Sequence, residues 1–211
     1  MKALEIELPG ARALFTTREG GRGHEIAAER GLELAWARQV HGTRVLIATE
    51  ATDPDSEPAQ ADGLCTDWPG LALAVVTADC MPIAIAGGGA VGIVHAGWRG
   101  LAAGVIEEGA GLVRSLAASA EPLEAVIGPH ARACCYEVGE EVHGAFAGLE
   151  RARNGRNLDM AEVARAQLED AGVTRVHDLG ICTMCDPERR FFSHRRDGGR
   201  TGRQAGIAWL S

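Results

Sequence analysis

Residues 71–100 read LALAVVTADCMPIAIAGGGAVGIVHAGWRG, and the way this stretch breaks decides the fold. It is the most apolar part of the chain, yet Asp79, Pro82 and the triplet Gly87-Gly88-Gly89 interrupt it, so it does not read as one membrane-spanning helix. Cut at those points it leaves three runs of strand length, Leu71 to Thr77, Pro82 to Ala86 and Ala90 to His95, bounded by turn residues and read as buried strands. Working outward, Leu4 to Leu8, Ala13 to Thr17 and Arg44 to Ala48 give further strand candidates upstream. Val173 to Leu179, Arg190 to His194 and Ala205 to Leu210 do so downstream.

Helical periodicity takes over directly after the His95 segment. From Leu101 to Ala118, the residues Val105, Ile106, Leu112, Val113 and Leu116 fall on one stripe, with Glu107, Glu108 and Arg114 left for the solvated side. Gly109 lies on that stripe and weakens it, since glycine inside a helix costs about 1 kcal/mol relative to alanine. A second helix is expected to start at Asp159, which has Glu162 three residues later in capping-box spacing, and to close at Gly172. Strands and helices mixed along 211 residues, with no internal repeat or linker, predict an α/β fold: a single domain over residues 1–211, layered as an α/β/α sandwich around a mixed sheet.

The bulk properties narrow the function. A net charge of -8 argues against a nucleic-acid partner, whose affinity comes from clustered Lys and Arg. The basic patch made by Arg189, Arg190, Arg195, Arg196, Arg200 and Arg203 suits an anionic small molecule or a solvated face equally well. The start, Met1-Lys2-Ala3-Leu4-Glu5-Ile6-Glu7, alternates apolar and charged residues and lacks the apolar core of a signal peptide. The expectation is a cytoplasmic protein with no membrane partner, in which six cysteines serve as thiols, ligands or core residues, not as a disulfide framework.

Three short segments carry metal-capable side chains at strand ends or adjoining turns: Gln39-Val40-His41-Gly42, Thr77-Ala78-Asp79-Cys80-Met81-Pro82 and Val94-His95-Ala96-Gly97-Trp98-Arg99-Gly100. Imidazole and thiolate are donors that zinc prefers, and three protein ligands leave a fourth position for water or substrate, as in catalytic sites. The plainer reading is a hydrogen-bonded histidine and a small buried thiol, and spacing alone leaves both open. The C-x-x-C of Cys182-Thr183-Met184-Cys185 is consistent with half a zinc knuckle or a redox pair. No second C-x-x-C accompanies it; the adjacent Cys134-Cys135 could in principle complete a four-Cys site but is poorly placed to ligate one ion, so packing is the expectation there.

Together with Phe15-Thr16-Thr17-Arg18-Glu19-Gly20-Gly21, Ala61-Asp62-Gly63-Leu64, Ile127-Gly128-Pro129, Cys134-Cys135-Tyr136-Glu137-Val138-Gly139 and Phe191-Phe192-Ser193-His194-Arg195-Arg196-Asp197, these segments resemble the YfiH, or laccase-domain, family in the family's order. The likeness touches nearly the whole chain, and Thr77 to Pro82 followed by His95 to Gly100 is its most specific part. One departure stands between Gly21 and Gln39, where the chain lacks an Asn-Leu-Gly-type segment. The resemblance implies a YfiH-like fold and zinc bound by His41, Cys80 and His95, the same residues being catalytic. It also implies phosphorolysis of adenosine, guanosine and methylthioadenosine, with deamination of adenosine. The partners are then purine nucleosides and inorganic phosphate.

For that chemistry Asp62 and Asp79 are the candidate proton acceptors, and Arg18, Arg99 and Arg196 the candidate phosphate contacts. An exposed salt bridge or helix-end contact is the alternative for each arginine. Trp98, Phe191 and Phe192 could stack on a purine or simply pack. Two other enzyme readings compete. A copper-dependent polyphenol oxidase would need many imidazoles, commonly as His-x-His pairs, and seven histidines without such a pair disfavour it, although a Cys-His-His site can bind copper. A cysteine hydrolase with Cys80 as nucleophile and His95 as base, editing peptidoglycan precursors, would need no metal.

Overall fold

The computed structural model describes residues 1–211. In chain order the elements are β1 (Ala3–Leu8), β2 (Ala11–Thr16), α1 (His24–Glu29), β3 (Glu33–Trp36), β4 (Val45–Ile47), β5 (Gly63–Thr66), β6 (Leu71–Thr77), β7 (Met81–Gly87) and β8 (Ala90–Ala96). They continue as α2 (Trp98–Ala103), α3 (Val105–Leu116), β9 (Leu123–Ile127), α4 (Glu140–Ala145), β10 (Arg153–Asn154), β11 (Asn157–Leu158), α5 (Met160–Asp170), β12 (Val173–Asp178) and β13 (Gln204–Leu210). Five strands form one sheet in the order β1-β2-β13-β6-β3, and six form another in the order β12-β9-β7-β8-β5-β4. Both are mixed: β3 with β6, β4 with β5 and β9 with β12 run parallel, and the remaining pairs antiparallel.

The α/β architecture with mixed sheets is as expected, and its central layer is double. Residues 71–100 supply the reason. On β7, Met81, Ile83 and Ile85 face the helices while Ala84 and Ala86 face the other sheet; on β8, Val94 and Ala96 take the first role and Val91 and Ile93 the second. Side chains alternate across a strand, so a run that is apolar at every position must be covered on both faces. One cover is the five-stranded sheet, through Phe15, Leu73, Val75 and Ala208; the other is α3 and α5, through Val105, Ile106, Val113, Val163 and Leu168. The far face of the five-stranded sheet, with Leu14, Ile207 and Trp209, is capped by Ile26 and Ala27 of α1.

The helix expected over Leu101 to Ala118 is broken at Gly104 (φ 94°) into α2 and α3. The Asp159 cap stands as read: its side chain accepts from the N–H groups of Ala161 and Glu162 at 3.0 and 3.2 Å, and Gly172 follows the helix at φ 76°. The expected strand over Arg190 to His194 is instead an irregular loop. Its backbone bonds mostly to side chains: Arg190 N donates to Asp186, Phe192 N donates to Gln204 Oε1, and Phe191 O accepts from Arg18 and Arg196. Strands β3, β5, β9, β10 and β11 and helices α1 and α4 were not anticipated, each being short and without a full period of its pattern. No helix is long and apolar enough to cross a membrane.

Gly109 lies where α3 presses on β8, and a Cβ there would stand 2.6 Å from Val94 Cγ1; at Gly111, on the exposed side, a Cβ would meet nothing within 4 Å. Denaturant unfolding should therefore separate two chemically identical substitutions. Gly111→Ala gains up to about 1 kcal/mol from helix propensity. Gly109→Ala is not stabilised and loses up to about 2 kcal/mol net, because overpacking of about 1–3 kcal/mol offsets or exceeds that gain. A stabilised Gly109→Ala protein would show that the helix is not seated as tightly as described.

Candidate metal centre

His41, Cys80 and His95 come from three separate places and converge. His95 is the penultimate residue of β8, Cys80 ends the bend between β6 and β7, and His41 sits in the turn between β3 and β4. Their ligand atoms all lie within 4.8 Å of one another, with Cys80 Sγ 3.9 Å from His41 Nε2 and the two imidazole rings edge to face at 4.8 Å between centroids. Gly97 keeps this space open, since a Cβ there would stand 3.2 Å from both Cys80 Sγ and His41 Cδ2.

Two strained residues set the directions of the ligands. Asp79 has φ 88° and His41 φ 61°, conformations uncommon outside glycine. The Asp79 carboxylate accepts from Thr183 Oγ1 at 2.6 Å, Ser193 Oγ at 3.0 Å and the Arg195 amide at 2.7 Å, which holds the bend and turns Cys80 toward the histidines. His41 is held by Asp62. The consecutive amides of Val40, His41 and Gly42 donate to the Asp62 carboxylate at 3.1, 2.9 and 2.7 Å, an anion nest that imposes the positive φ.

The same carboxylate reaches the second histidine, with Asp62 Oδ1 2.8 Å from His95 Nδ1. An ionised Asp62 can only accept, so His95 donates through Nδ1 and turns Nε2 toward the other two side chains, where it can bind an ion once its proton is displaced. Burial alone would raise the Asp62 carboxyl, but His95 and the Gly42 and Val40 amides hold it below the usual carboxylate range. Burial disfavours an imidazolium at His95, yet Asp62 and Cys80 bring its pKa up to about 9. Against burial, the two histidines draw the Cys80 thiol down to about 6. A thiolate beside two oriented imidazoles is a donor set for a borderline-soft divalent ion, whose tetrahedral bonds place S and N about 3.5 Å apart.

These residues line a cavity of about 610 Å³. Trp36 and Tyr136 give its wall aromatic surface, while Arg22, Arg38, Arg195 and Arg203 give it positive charge. The sequence pointed elsewhere. Asp62 is fully buried and does not line the cavity, whereas Asp79, nearly buried, does; the oxygens of both accept from protein donors. Arg18 lies outside the cavity, bonded to Phe191 O and Asp197 and stacked on Phe192. Arg196 is spent on Asp197, Thr183 O and Phe191 O, and Arg99 lies over Trp98. Phe191 and Trp98 pack instead of lining the cavity. Arg22 and Arg38 had no pattern to reveal them; they stand at the two ends of the segment between Gly21 and Gln39, which folds as α1 and β3 and so delivers them with Trp36 to the rim.

A second donor group was not expected to form. Cys134, Cys135, Cys182 and Cys185 bring their sulfurs within 4.8 Å of one another, with 3.5 Å between Cys134 and Cys185. Burial would raise the Cys182 thiol, but the backbone N–H groups of Arg132, Cys185 and Met184 hold it below the ordinary thiol value.

The family described as multi-copper polyphenol oxidoreductase laccase matches residues 23–211. A protein of Xylella fastidiosa (strain Temecula1) named purine nucleoside phosphorylase is 41% identical over 191 residues, covering 83% of this chain and 71% of that protein. Two crystal structures share the fold at 30% and 31% identity. The Bacillus licheniformis protein YfiH has a TM-score of 0.85 over 95% of this chain and 93% of its own. A Neisseria meningitidis protein has 0.84 over the whole of both chains. The chain thus belongs to the multi-copper polyphenol oxidoreductase laccase family, the family of the YfiH proteins.

Proposed function

We propose that the chain is a purine nucleoside phosphorylase acting on adenosine, guanosine and methylthioadenosine, with adenosine deaminase activity, and that zinc held by His41, Cys80 and His95 is its cofactor. The observation that carries the reading is the convergence of those three side chains at the wall of a cavity that also offers four arginines and two aromatic rings. The relatives named purine nucleoside phosphorylase support the substrate class. When bound, the ion would supply Lewis acidity that makes water acidic enough to attack an electrophilic purine carbon near neutral pH.

The remaining work falls to the chain's own residues. Phosphorolysis forms a bond from a phosphate oxygen to the sugar's anomeric carbon and breaks the glycosidic bond, whose electrons leave with the purine and must be met by a proton or hydrogen bond. Arg22, Arg38, Arg195 and Arg203 suit the phosphate, and Trp36 and Tyr136 suit the purine face. Burial pushes the Tyr136 hydroxyl up to about 12, so it stays a proton-bearing donor near the departing base. Asp62 acts through His95 as a positioning group, the carboxylate-histidine arrangement that orients metal ligands.

The same geometry favours one second reading. Cys80, His95 and Asp62 also have the order of nucleophile, base and orienting carboxylate, which would serve hydrolysis without metal. Copper oxidation is disfavoured because the centre musters two imidazoles and no His-x-His pair exists elsewhere.

Three outcomes are expected. His41→Ala, Cys80→Ala and His95→Ala each lose bound zinc and nucleoside turnover while circular dichroism reports an intact fold, and full activity in any one of them would remove that residue from the mechanism. Asp62→Asn keeps the three ligands but loses about 10–100-fold in metal affinity; unchanged affinity would deny Asp62 its positioning role. Metal-analysed protein incubated with adenosine should release adenine and ribose 1-phosphate only when phosphate is present, and inosine without it. Undiminished turnover by metal-free protein, with a substrate analogue covalently trapped on Cys80, would favour the hydrolase.

A further inference from the structure

We propose that Cys134, Cys135, Cys182 and Cys185 form a second, structural metal site that holds one zinc ion as a tetrathiolate, separate from His41, Cys80 and His95. The four sulfurs gather within 4.8 Å, and Cys134 and Cys185 stand 3.5 Å apart. Tetrahedral zinc with Zn–S bonds of about 2.3 Å sets its sulfurs about 3.8 Å apart, so only small side-chain adjustments separate this group from a closed site. Four thiolates with no carboxylate or imidazole among them select soft or borderline ions over magnesium and calcium.

The sequence argument against adjacent cysteines fails for a local reason. Cys134 and Cys135 lie in a tight turn, in which the amides of Cys135 and Tyr136 both donate to Arg132 O, at 2.9 and 2.8 Å. Neighbouring side chains in a helix-like turn diverge by about 100°, not the half-turn of a strand, so both sulfurs can face one point. The partner pair lies in a second turn, closed from Asp186 N to Cys182 O at 3.0 Å, and a backbone bridge between His130 and Cys182 sets the turns side by side. Packing does not account for the group, because Cys134 and Cys185 are exposed whereas cysteines used as small apolar residues are among the most buried of all.

The position gives the ion a purpose. Thr183, inside the C-x-x-C, donates to Asp79 and so steadies the bend that aims Cys80, while Tyr136, directly after Cys135, lines the cavity. A tetrathiolate would tie these two loops into one wall. This holds whether or not the proposed enzymatic activity does.

The test uses the full chain carrying Cys80→Ala, which removes the first donor group and leaves these four sulfurs. Purified under reducing conditions without added metal, it should contain one zinc per chain. Freed of metal and titrated with Co2+ alone, it should bind one ion, with sulfur-to-cobalt charge-transfer absorption in the near ultraviolet and intense tetrahedral bands in the red, both erased by stoichiometric zinc. Adding Cys182→Ser and Cys185→Ser should abolish those bands; if that protein does not fold, Cys134→Ser at an exposed position should shift and weaken them. No cobalt-thiolate absorption, bands that survive these substitutions, or a Cys134 to Cys185 disulfide found in the native protein by mass spectrometry would overturn the proposal.

Discussion

One carboxylate without solvent-exposed surface, Asp62, joins the parts of the candidate metal centre. It accepts hydrogen bonds from three consecutive amides around His41 and from the ring of His95, so the two imidazoles are oriented by a single charge. A buried carboxylate without such partners would cost several kcal/mol. With four donors the charge is stabilised, and the cost of displacing it is what keeps the His41 turn in a backbone conformation that the sequence does not favour. Asp79 does the corresponding work for Cys80, but its partners lie in the loop following β12, more than a hundred residues along the chain.

The fold serves this arrangement by bringing distant turns to one edge. The β6 to β7 bend leads from one sheet into the other, and β8 carries His95 alongside that bend through its pairing with β7, where Pro82 lies opposite His95. The second sheet and the helices bury β7 and β8 on both faces, which makes the edge from which Cys80 and His95 project rigid. The segment between Gly21 and Gln39 lies outside that rigid frame, folds into α1 and β3, and supplies Arg22, Trp36 and Arg38 to the cavity.

Much of this was legible in the sequence where local chemistry is decisive. The interruptions in residues 71–100, the Asp159 cap and the ligand types of His41, Cys80 and His95 each depend on neighbours a few positions away. What was not legible depends on contacts distant in sequence. Asp62 and Asp79 were read as carboxylates free to act, since nothing nearby announces donors such as Thr183 or Ser193. Arg190 to His194 has a strand's apolar content, but Asp186 and Gln204 capture its backbone. Arg18 and Arg196 lay in quoted motifs and proved structural, whereas Arg22 and Arg38 carried no motif and reach the cavity. The adjacent Cys134 and Cys135 were read as poorly placed to share an ion, and the turn they lie in brings both sulfurs to the Cys182 and Cys185 pair.

The account stands on one ion shared by three side chains of different origin. Anomalous diffraction recorded above and below the zinc absorption edge, from crystals grown without added metal, tests that directly. The account predicts an edge-specific peak bonded to His41 Nε2, Cys80 Sγ and the free nitrogen of His95, with one side open to the cavity. A fully active preparation whose crystals show no such peak among those three atoms would contradict it.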